Sequence, residues 1–208
     1  MRTVTTRELV RTLRERLEPV EHADTLIDAI EGQRLGARKA AVLIALFEQE
    51  NALYLTFIRR ASTLRAHSGE IAFPGGGVDA TDTSPVMTAL REAYEEIGLE
   101  PVRAEVLGVL TPVFTIVSNY LIMPVVAYFP RGLGELQLQV SEVTELILAP
   151  LQALADPVIA HTEQWAWSNT TRTVYFYDYG PYRIWGATGR ILSMLLELLH
   201  DVWWENAL

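Results

Sequence analysis

The stretch "FPGGGVDATDTSPVMTALREAYEEIGLE", residues 73–100, places a glycine loop directly before a segment with helical punctuation. Ser84 is a preferred N-cap residue, and Pro85 fits the first helical position, where its missing N–H costs nothing. Gly98 then supplies the left-handed residue that commonly ends a helix. The sequence therefore predicts a helix over residues 85–97.

The two faces of this predicted helix differ in polarity. At about 100° per residue, one face carries Met87, Leu90, Tyr94 and Ile97, and the opposite face carries Glu92, Glu95 and Glu96. We expect the first face to pack on the core and the glutamates to converge on one patch away from it. Like charges at this spacing cost only about 0.2–0.5 kcal/mol per exposed pair, so a merely solvated acidic face is the alternative.

The loop before the helix favours a metal site. Gly75, Gly76 and Gly77 permit backbone shapes that are closed to other residues. Asp79 and Asp82 add carboxylate oxygens just before the helix. Such hard oxygen ligands suit Mg²⁺ or Mn²⁺, which also take water and substrate phosphates. A cation there would offset the repulsion between the glutamates and polarise a phosphoanhydride.

The composition narrows the classes of partner. The 208 residues fit one domain, and a hydrophobic content of 50% is enough for a core. A formal net charge of −9 argues against nucleic acid and anionic membranes as partners, so an anionic substrate would need a local cation or an arginine cluster. The absence of cysteine excludes disulfides and thiolate chemistry. With no apolar signal-peptide core and no run of membrane-spanning length, we expect a cytoplasmic protein.

Apolar runs with strand character outnumber the helical segments. Strands are predicted within residues 40–60 (two, around a turn at 48–51), 69–76, 104–116, 120–130, 140–154 (with a helical turn), 172–179 and 182–186. Helices are predicted over residues 5–17, 22–31 and 85–97, and residues 187–207 form a strong amphipathic pattern. Because strands and helices do not alternate, the fold class is predicted to be α+β.

The acidic segment resembles the Nudix box. It reads Gly76, five residues, Asp82, eight residues, then Arg91-Glu92-Ala93-Tyr94-Glu95-Glu96-Ile97-Gly98-Leu99. The family pattern has seven residues between the acid and the arginine, so this alignment carries one inserted residue. Counting back from Gly98 instead puts Gly77 at the first glycine and Thr83 at the acid position. The alignment through Asp82 keeps both the double glycine and an acid.

The residues before the box resemble a narrower signature, that of the coenzyme A pyrophosphatase branch of Nudix hydrolases. They are Arg60-Ala61, Arg65, Gly69 and Phe73-Pro74-Gly75-Gly76, with Thr56-Phe57-Ile58 where the branch normally has Leu-Leu-Thr. The segments Ser141-Glu142-Val143 and Ile184 to Leu192 also look like this branch. The resemblance covers residues 38–200. It leaves residues 1–35 as a helical N-terminal extension of a single domain spanning 1–208.

This resemblance implies a fold and a reaction. The fold would be an α/β/α sandwich around a mixed β-sheet. The reaction would be Mg²⁺- or Mn²⁺-dependent attack of water on the diphosphate of coenzyme A, giving 3′,5′-ADP and 4′-phosphopantetheine. The substrate would be a small molecule, with no nucleic acid or membrane partner.

The resemblance also implies roles for the acidic helix. Glu92, Glu95 and Glu96 would be metal ligands or the base that activates water, with Glu92 and Glu96 the preferred pair of direct ligands. Arg91, four residues before Glu95, is placed to orient that carboxylate. Glu142 is the candidate for a catalytic acid beyond the box, with a solvated strand-end carboxylate as the alternative.

Substrate contacts are expected in and before the glycine loop. Gly75 and Gly76 would approach the diphosphate closely, and Arg60 and Arg65 would neutralise it or a second phosphate. His67 would bind phosphate or take a proton. Ordinary surface arginines and a structural histidine are the alternatives. Glu70, close to the loop, is a candidate for a further metal ligand.

The aromatic residues near the C-terminus have two interpretations. Residues 175–177 are expected to pack in the core, with adenine stacking as the alternative, and Trp185 is expected in the core. Thr188 and Gly189 are expected to start the last helix rather than to contact substrate. Trp203 and Trp204, just beyond that helix, suggest a contact in a possible homodimer.

Three other functions are compatible with parts of the sequence. A Nudix hydrolase of ADP-ribose or of a dinucleotide would carry the same box. A Nudix-like nucleotide sensor without catalysis would not need all three glutamates. A partner-binding protein with an acidic surface helix would bind no divalent metal tightly.

Overall fold

The computed structural model describes residues 4–31, 36–62, 68–167 and 170–204, with Trp167 described by its backbone alone. Helices α1–α6 are Thr6–Arg16, Ala23–Glu31, Pro85–Ile97, Leu151–Leu154, Gly186–Glu197 and His200–Trp203. Strands β1–β11 are Arg38–Gln49, Ala52–Arg60, Ile71–Ala72, Gly75–Gly77, Glu105–Val109, Val113–Thr115, Tyr120–Phe129, Val143–Pro150, Ala160–Trp167, Thr170–Tyr179 and Tyr182–Ile184. None of these helices is long and apolar enough to cross a membrane.

Strands β1–β8 form one mixed sheet, and β9–β11 form a second, smaller sheet. β1 pairs with β7 in parallel and with β2 and β4 in antiparallel fashion. β7 also pairs with β5 and β6, and β8 pairs with β2. The mixed sheet and its helices confirm the predicted α+β class.

The glycine loop enters the sheet because β1 and β2 separate beyond their hairpin. β1 pairs with β2 through Leu46–Gln49, whereas its Ala40–Val42 segment pairs with β4. β3 pairs with Ile58 and Arg59 of β2, two residues that also pair with β8. β3 therefore lies on the β1 side of β2. Residues 71–77 thus run between two central strands, which brings the glycines to the middle of the sheet.

Helices cover both faces of the main sheet, because successive residues of a strand point to opposite faces. On one face, Leu43 and Ala45 of β1 pack in a cluster with residues of α2 and α3, among them Ile27, Ala89, Ala93 and Ile97. On the other face, Ile44 and Leu46 pack in a cluster with residues of α1 and α5, among them Leu9, Leu13, Leu192 and Leu195. Helix α1, within the predicted N-terminal extension, is therefore part of the core.

The C-terminal region corrects two predictions. The amphipathic pattern over 187–207 is interrupted, because α5 ends at Glu197 and Leu199 adopts φ −113° and ψ 0° before α6 begins at His200. Trp203 is then buried among the residues of the α1–α5 cluster. It is not available as the predicted dimer contact. Strand β9 was not predicted, since its exposed polar residues give no apolar alternation.

Candidate active site

Helix α3 forms as predicted, but its buried face differs from the predicted one. Ser84 caps it by accepting a 3.2 Å hydrogen bond from the Met87 N–H, and Gly98 ends it with φ 72°. Met87 and Tyr94 are 42% and 55% exposed, so they are not core residues. The buried positions are Pro85, Thr88, Ala89, Ala93, Glu96 and Ile97. Ala89 and Ala93 share this face and pack in the cluster that contains residues of β1. Because Glu96 lies on the same face of the helix, it points inward as well.

The three glutamates therefore have different environments. Glu96 is 2% exposed, which contradicts the expectation that all three face away from the core. Glu92 is partly buried, with 18% of its side chain exposed, and Glu95 is exposed. Burial raises the pKa of Glu92, and its ion pair with Arg91 opposes this effect. The exposure of the three side chains therefore increases from Glu96, next to the sheet, through Glu92 to Glu95.

Glu96 lies under the glycine loop. Its Oε2 accepts a 2.9 Å hydrogen bond from the Gly75 N–H, and its Oε1 is 3.5 Å from Nη1 of Arg60. Burial raises the pKa of Glu96 to about 7, although the Gly75 hydrogen bond and Arg60 act in the opposite direction. The negative charges of Glu92 and Glu142 also raise this pKa.

Two glycines of the loop have close neighbours where a side chain would begin. A Cβ atom on Gly75, at φ +156°, would lie within 3.0 Å of the backbone of Ala41 and Val42. A Cβ atom on Gly76 would lie within 3.0 Å of the carboxylate of Glu92. A Cβ atom on Gly77 would meet nothing within 4 Å. The first two positions therefore leave no room for a side chain as the neighbouring atoms stand, whereas the third does.

Arg91 ties the loop to the helix. Its guanidinium donates to both carboxylate oxygens of Asp82, at 3.0 and 2.9 Å, and to the Gly77 carbonyl at 3.0 Å. It also donates to Glu92 at 2.9 Å and to Glu95 at 3.1 Å. The Glu95 contact was predicted, and the other contacts were not. Arg91 is therefore a positioning residue for two of the three glutamates.

Asp82 and Asp79 are engaged in structural contacts. The Arg91 guanidinium holds the pKa of Asp82 well below its usual range, and the Thr88 hydroxyl donates to the same carboxylate at 2.9 Å. Asp79 accepts from the N–H and the hydroxyl of Thr81, at 3.0 and 2.9 Å. These carboxylate oxygens thus accept hydrogen bonds that stabilise the loop. The geometry does not support the expectation that they are metal ligands.

The other predicted residues lie around this group. Arg60 and Glu70 line the adjoining cleft, and the Arg60 N–H donates to the Glu70 carbonyl at 3.0 Å. Glu142 is exposed, and its carbonyl accepts from the Ala61 N–H at 2.7 Å. Arg65 and His67 lie outside the described residues.

A cleft of about 510 Å³ adjoins the glycine loop. One side is formed by the loop with β1, β6 and β7. The other side is formed by β10 and the start of α5. The lining residues comprise Ala40, Val42, Arg60, Glu70, 72–73, 75–77, 113–118, Tyr120, Ile122, 172–175, 185–188 and 190–191. The cleft is mostly apolar, with arginines at intervals, as is typical of a site for a small-molecule ligand.

The cleft contains residues that sequence reasoning missed or placed elsewhere. Trp185 was expected in the core, but it is partly exposed and lines the cleft together with Thr188. Tyr175 also lines it, whereas Phe176 and Tyr177 are buried, as core packing requires. The segment 113–118 and Arg172 carried no motif. The resemblance around residues 184–192 was the signal that pointed to this wall.

The carboxylates suit a hard divalent cation by their chemistry. The negative charges of Glu92, Glu95 and Glu142 raise the pKa of a neighbouring carboxylate, whereas arginines and the Gly75 N–H lower it. As the side chains stand, no three His, Asp or Glu residues within 4–31, 36–62, 68–167 and 170–204 are close enough together to hold an ion. The fit therefore rests on the donor set, which is the one that Mg²⁺ and Mn²⁺ prefer.

Comparison with known proteins gives a family match. A family model described as the NUDIX domain matches residues 37–168. A protein named Uncharacterized Nudix hydrolase NudL from Photorhabdus laumondii is 37% identical over 161 residues, covering 77% of this chain and 84% of that protein. A protein of the same name from Salmonella paratyphi B is 40% identical over 166 residues, covering 78% of this chain and 83% of that protein.

The fold is also found in a solved structure. The crystal structure of a MutT/nudix family protein from Enterococcus faecalis aligns with a TM-score of 0.53 at 13% identity. The alignment covers 96% of this chain and 76% of that chain. At this identity the likeness supports the fold alone.

Proposed function

Because the chain belongs to the Nudix family, we propose that it hydrolyses the diphosphate of coenzyme A or its derivatives to 3′,5′-ADP and 4′-phosphopantetheine. One observation carries this proposal beyond the general Nudix reaction. Four residues of the part that resembles the coenzyme A branch line the cleft, namely Arg60, Phe73, Gly75 and Gly76, and two of them, Arg60 and Gly75, also contact the buried Glu96. A diphosphate bound beside these four residues would meet the carboxylates of the acidic helix.

Arg60, at the start of the signature, approaches Glu96 and also lines the cleft. Its N–H donates to the Glu70 carbonyl, and its own carbonyl accepts from the Gly69 N–H, each at 3.0 Å. These contacts close the loop of the signature at its base. The Arg60 guanidinium is 3.5 Å from Glu96 and lines the cleft, where it is placed to neutralise a diphosphate.

The end of the signature is anchored in the core. The Phe73 ring stacks on Phe57 with ring centroids 4.7 Å apart, and the Pro74 carbonyl accepts from the Leu43 N–H at 2.8 Å. These contacts fix the backbone just before Gly75 donates to Glu96. The loop is therefore rigid where close approach of a phosphate is needed.

The chemistry requires an attacking water, a proton acceptor and neutralisation of charge. Glu92, Glu95 and Glu96 would hold the divalent cation, which lowers the charge on the diphosphate and activates water when bound. A carboxylate of this group, within reach of the water, accepts its proton as the new P–O bond forms and the bond to the leaving phosphate breaks. Arg91 keeps Glu92 and Glu95 oriented, and Glu142 adds negative charge at the edge.

The test is product analysis with purified protein. Coenzyme A, ADP-ribose and a diadenosine polyphosphate are each incubated with and without Mn²⁺, beside the variant Glu96→Gln. We expect 3′,5′-ADP from coenzyme A only with metal and only from the unaltered protein. Cleavage of ADP-ribose or of the dinucleotide instead would keep the Nudix chemistry and reject the substrate. No cleavage of any of the three would leave a binding protein as the better explanation.

A further inference from the structure

The cleft has the opposite charge balance to the chain as a whole. The chain carries a formal net charge of −9. Of the charged side chains that line the cleft within the described residues, Arg60, Arg172 and Arg190 are basic and Glu70 alone is acidic. The sequence indicated that an anionic substrate would need a local arginine cluster, and this cleft supplies one.

Two of these arginines belong to the wall of the cleft opposite the glycine loop. Arg60 belongs to β2 and approaches Glu96, whereas Arg172 lies on β10 and Arg190 on α5. They therefore belong to the wall that is formed by the second sheet and the last long helix. A diphosphate held by Arg60 beside Glu96 leaves this second pair of cations for another group of the same ligand.

Arg190 is oriented by an aromatic residue. Its Nη1 donates to the Tyr175 hydroxyl at 3.2 Å and to the Ser193 hydroxyl at 3.4 Å. Its guanidinium carbon is 5.3 Å from the centroid of the Tyr175 ring. In the part of the chain that the structure describes, no carboxylate forms an ion pair with Arg190. A guanidinium that is fixed in this way, with its charge not cancelled, is suited to bind a phosphate through paired hydrogen bonds.

We propose that Arg190, together with Arg172, forms a second anion subsite that binds the phosphomonoester on the ribose of the substrate. This inference rests on the proposed function, because coenzyme A carries such a group at its 3′ position in addition to the diphosphate. ADP-ribose and dinucleotides lack it. The subsite would therefore explain how one wall of the cleft selects coenzyme A among the diphosphates that the Nudix site is able to cleave.

The kinetic test compares coenzyme A with 3′-dephospho-coenzyme A, which differ only in that phosphate. The unaltered protein is expected to show a kcat/KM at least about 10-fold higher for coenzyme A. Arg190→Gln should lose about 10- to 100-fold on coenzyme A, mainly through KM, and much less on the dephospho compound. Arg190→Lys should retain part of the preference. Arg183→Gln, on β11 and paired with Asp178, is the matched control outside the cleft.

A binding test separates this inference from the proposed function. Calorimetry with 3′,5′-ADP and 5′-AMP measures the subsite without any cleavage. Tighter binding of the bisphosphate that is lost in Arg190→Gln supports the subsite, even if coenzyme A is not hydrolysed and the proposed function fails. Hydrolysis of coenzyme A with no preference over the dephospho compound, or equal losses on both in the variant, overturns the subsite and leaves the proposed function standing.

Discussion

The backbone N–H of Gly75 donates a 2.9 Å hydrogen bond to Oε2 of Glu96. The contact joins the glycine loop, inserted between β1 and β2, to the last turn of α3. Because Glu96 is almost fully buried, this hydrogen bond and the nearby Arg60 offset part of the cost of removing a carboxylate from water. The carboxylate is thereby fixed in direction at the edge of the cleft.

Replacing Glu96 by glutamine should remove activity and leave the fold intact. Gln retains a carbonyl oxygen for the Gly75 N–H and nearly the same volume, but it carries no charge and accepts no proton. We expect kcat with Mn²⁺ to fall about 100-fold or more. Glu105→Gln is the control, since Glu105 is an exposed residue of β5 that pairs with Arg14. Unchanged turnover by the Glu96 variant would remove this residue from the mechanism.

The metal-free protein should lose stability as the pH rises through the titration of Glu96. Burial raises the pKa of Glu96 to about 7 from its ordinary value of 4.5. Between these values the folded state retains a proton that the unfolded chain releases, so the free energy of unfolding decreases as pH increases. The Glu96 contribution to this decrease is at most about 3 kcal/mol.

Urea denaturation in EDTA at pH 5 and pH 8 measures the effect. Glu96→Gln should show a smaller decrease between the two pH values than the unaltered protein. The same decrease in both proteins would mean that another group is responsible. Glu105→Gln again serves as the control, because Glu105 is half exposed in its pair with Arg14.

The glycine loop offers a matched pair of alanine substitutions. Gly76→Ala would place a Cβ atom within 3.0 Å of the Glu92 carboxylate, whereas Gly77→Ala meets no atom within 4 Å. The Glu92 carboxylate is the end of a flexible side chain and can move aside. We therefore expect Gly76→Ala to reduce kcat/KM about 10- to 100-fold with little change in Tm, because a displacement near 1 Å can have that effect. Gly77→Ala should retain most activity, and equal losses in the two variants would point to loop flexibility instead.

The sequence predicted most of the elements, including the helix that carries the acidic residues, for physical reasons that are local. Ser84, Pro85 and Gly98 define α3 by capping chemistry alone, and Arg91 reaches Glu95 because residues four apart are neighbours on a helix. The burial of Glu96 was missed because it depends on the two alanines that share its face and on the glycine loop of the sheet above it. Trp185 was misplaced for a related reason, since the cleft it lines exists only once the second sheet packs beside α5.

Asp82→Asn should destabilise the protein. The substitution removes a charged acceptor that takes two hydrogen bonds from Arg91, one from Thr88 and one from the Asp79 N–H. Arg91 keeps its contacts with Glu92 and Glu95, so we expect a loss of about 2 kcal/mol in the free energy of unfolding. Denaturation in urea at pH 7 measures it. Asp79→Asn is the control within the same loop, because the exposed Asp79 side chain accepts its hydrogen bonds from Thr81, and the Asp79 N–H that donates to Asp82 is unchanged by the substitution. A larger effect of the Asp79 change would contradict the role assigned to the Arg91 pair.

Divalent cations should raise the melting temperature through the acidic group. Binding to the folded state alone adds about 2.7 kcal/mol when the free ion is at 100 times its Kd, which for a chain of this size raises Tm by about 5–10 °C. We therefore expect a rise of this order with Mn²⁺ or Mg²⁺ relative to EDTA.

The double variant Glu92→Gln/Glu96→Gln should lose the rise, because both charges that would hold the ion next to the loop are removed. Glu105→Gln should keep it, since its carboxylate pairs with Arg14 on another part of the surface. An equal rise in the double variant would place the bound ion elsewhere, and no rise in the unaltered protein would show that the glutamates alone do not form the metal site.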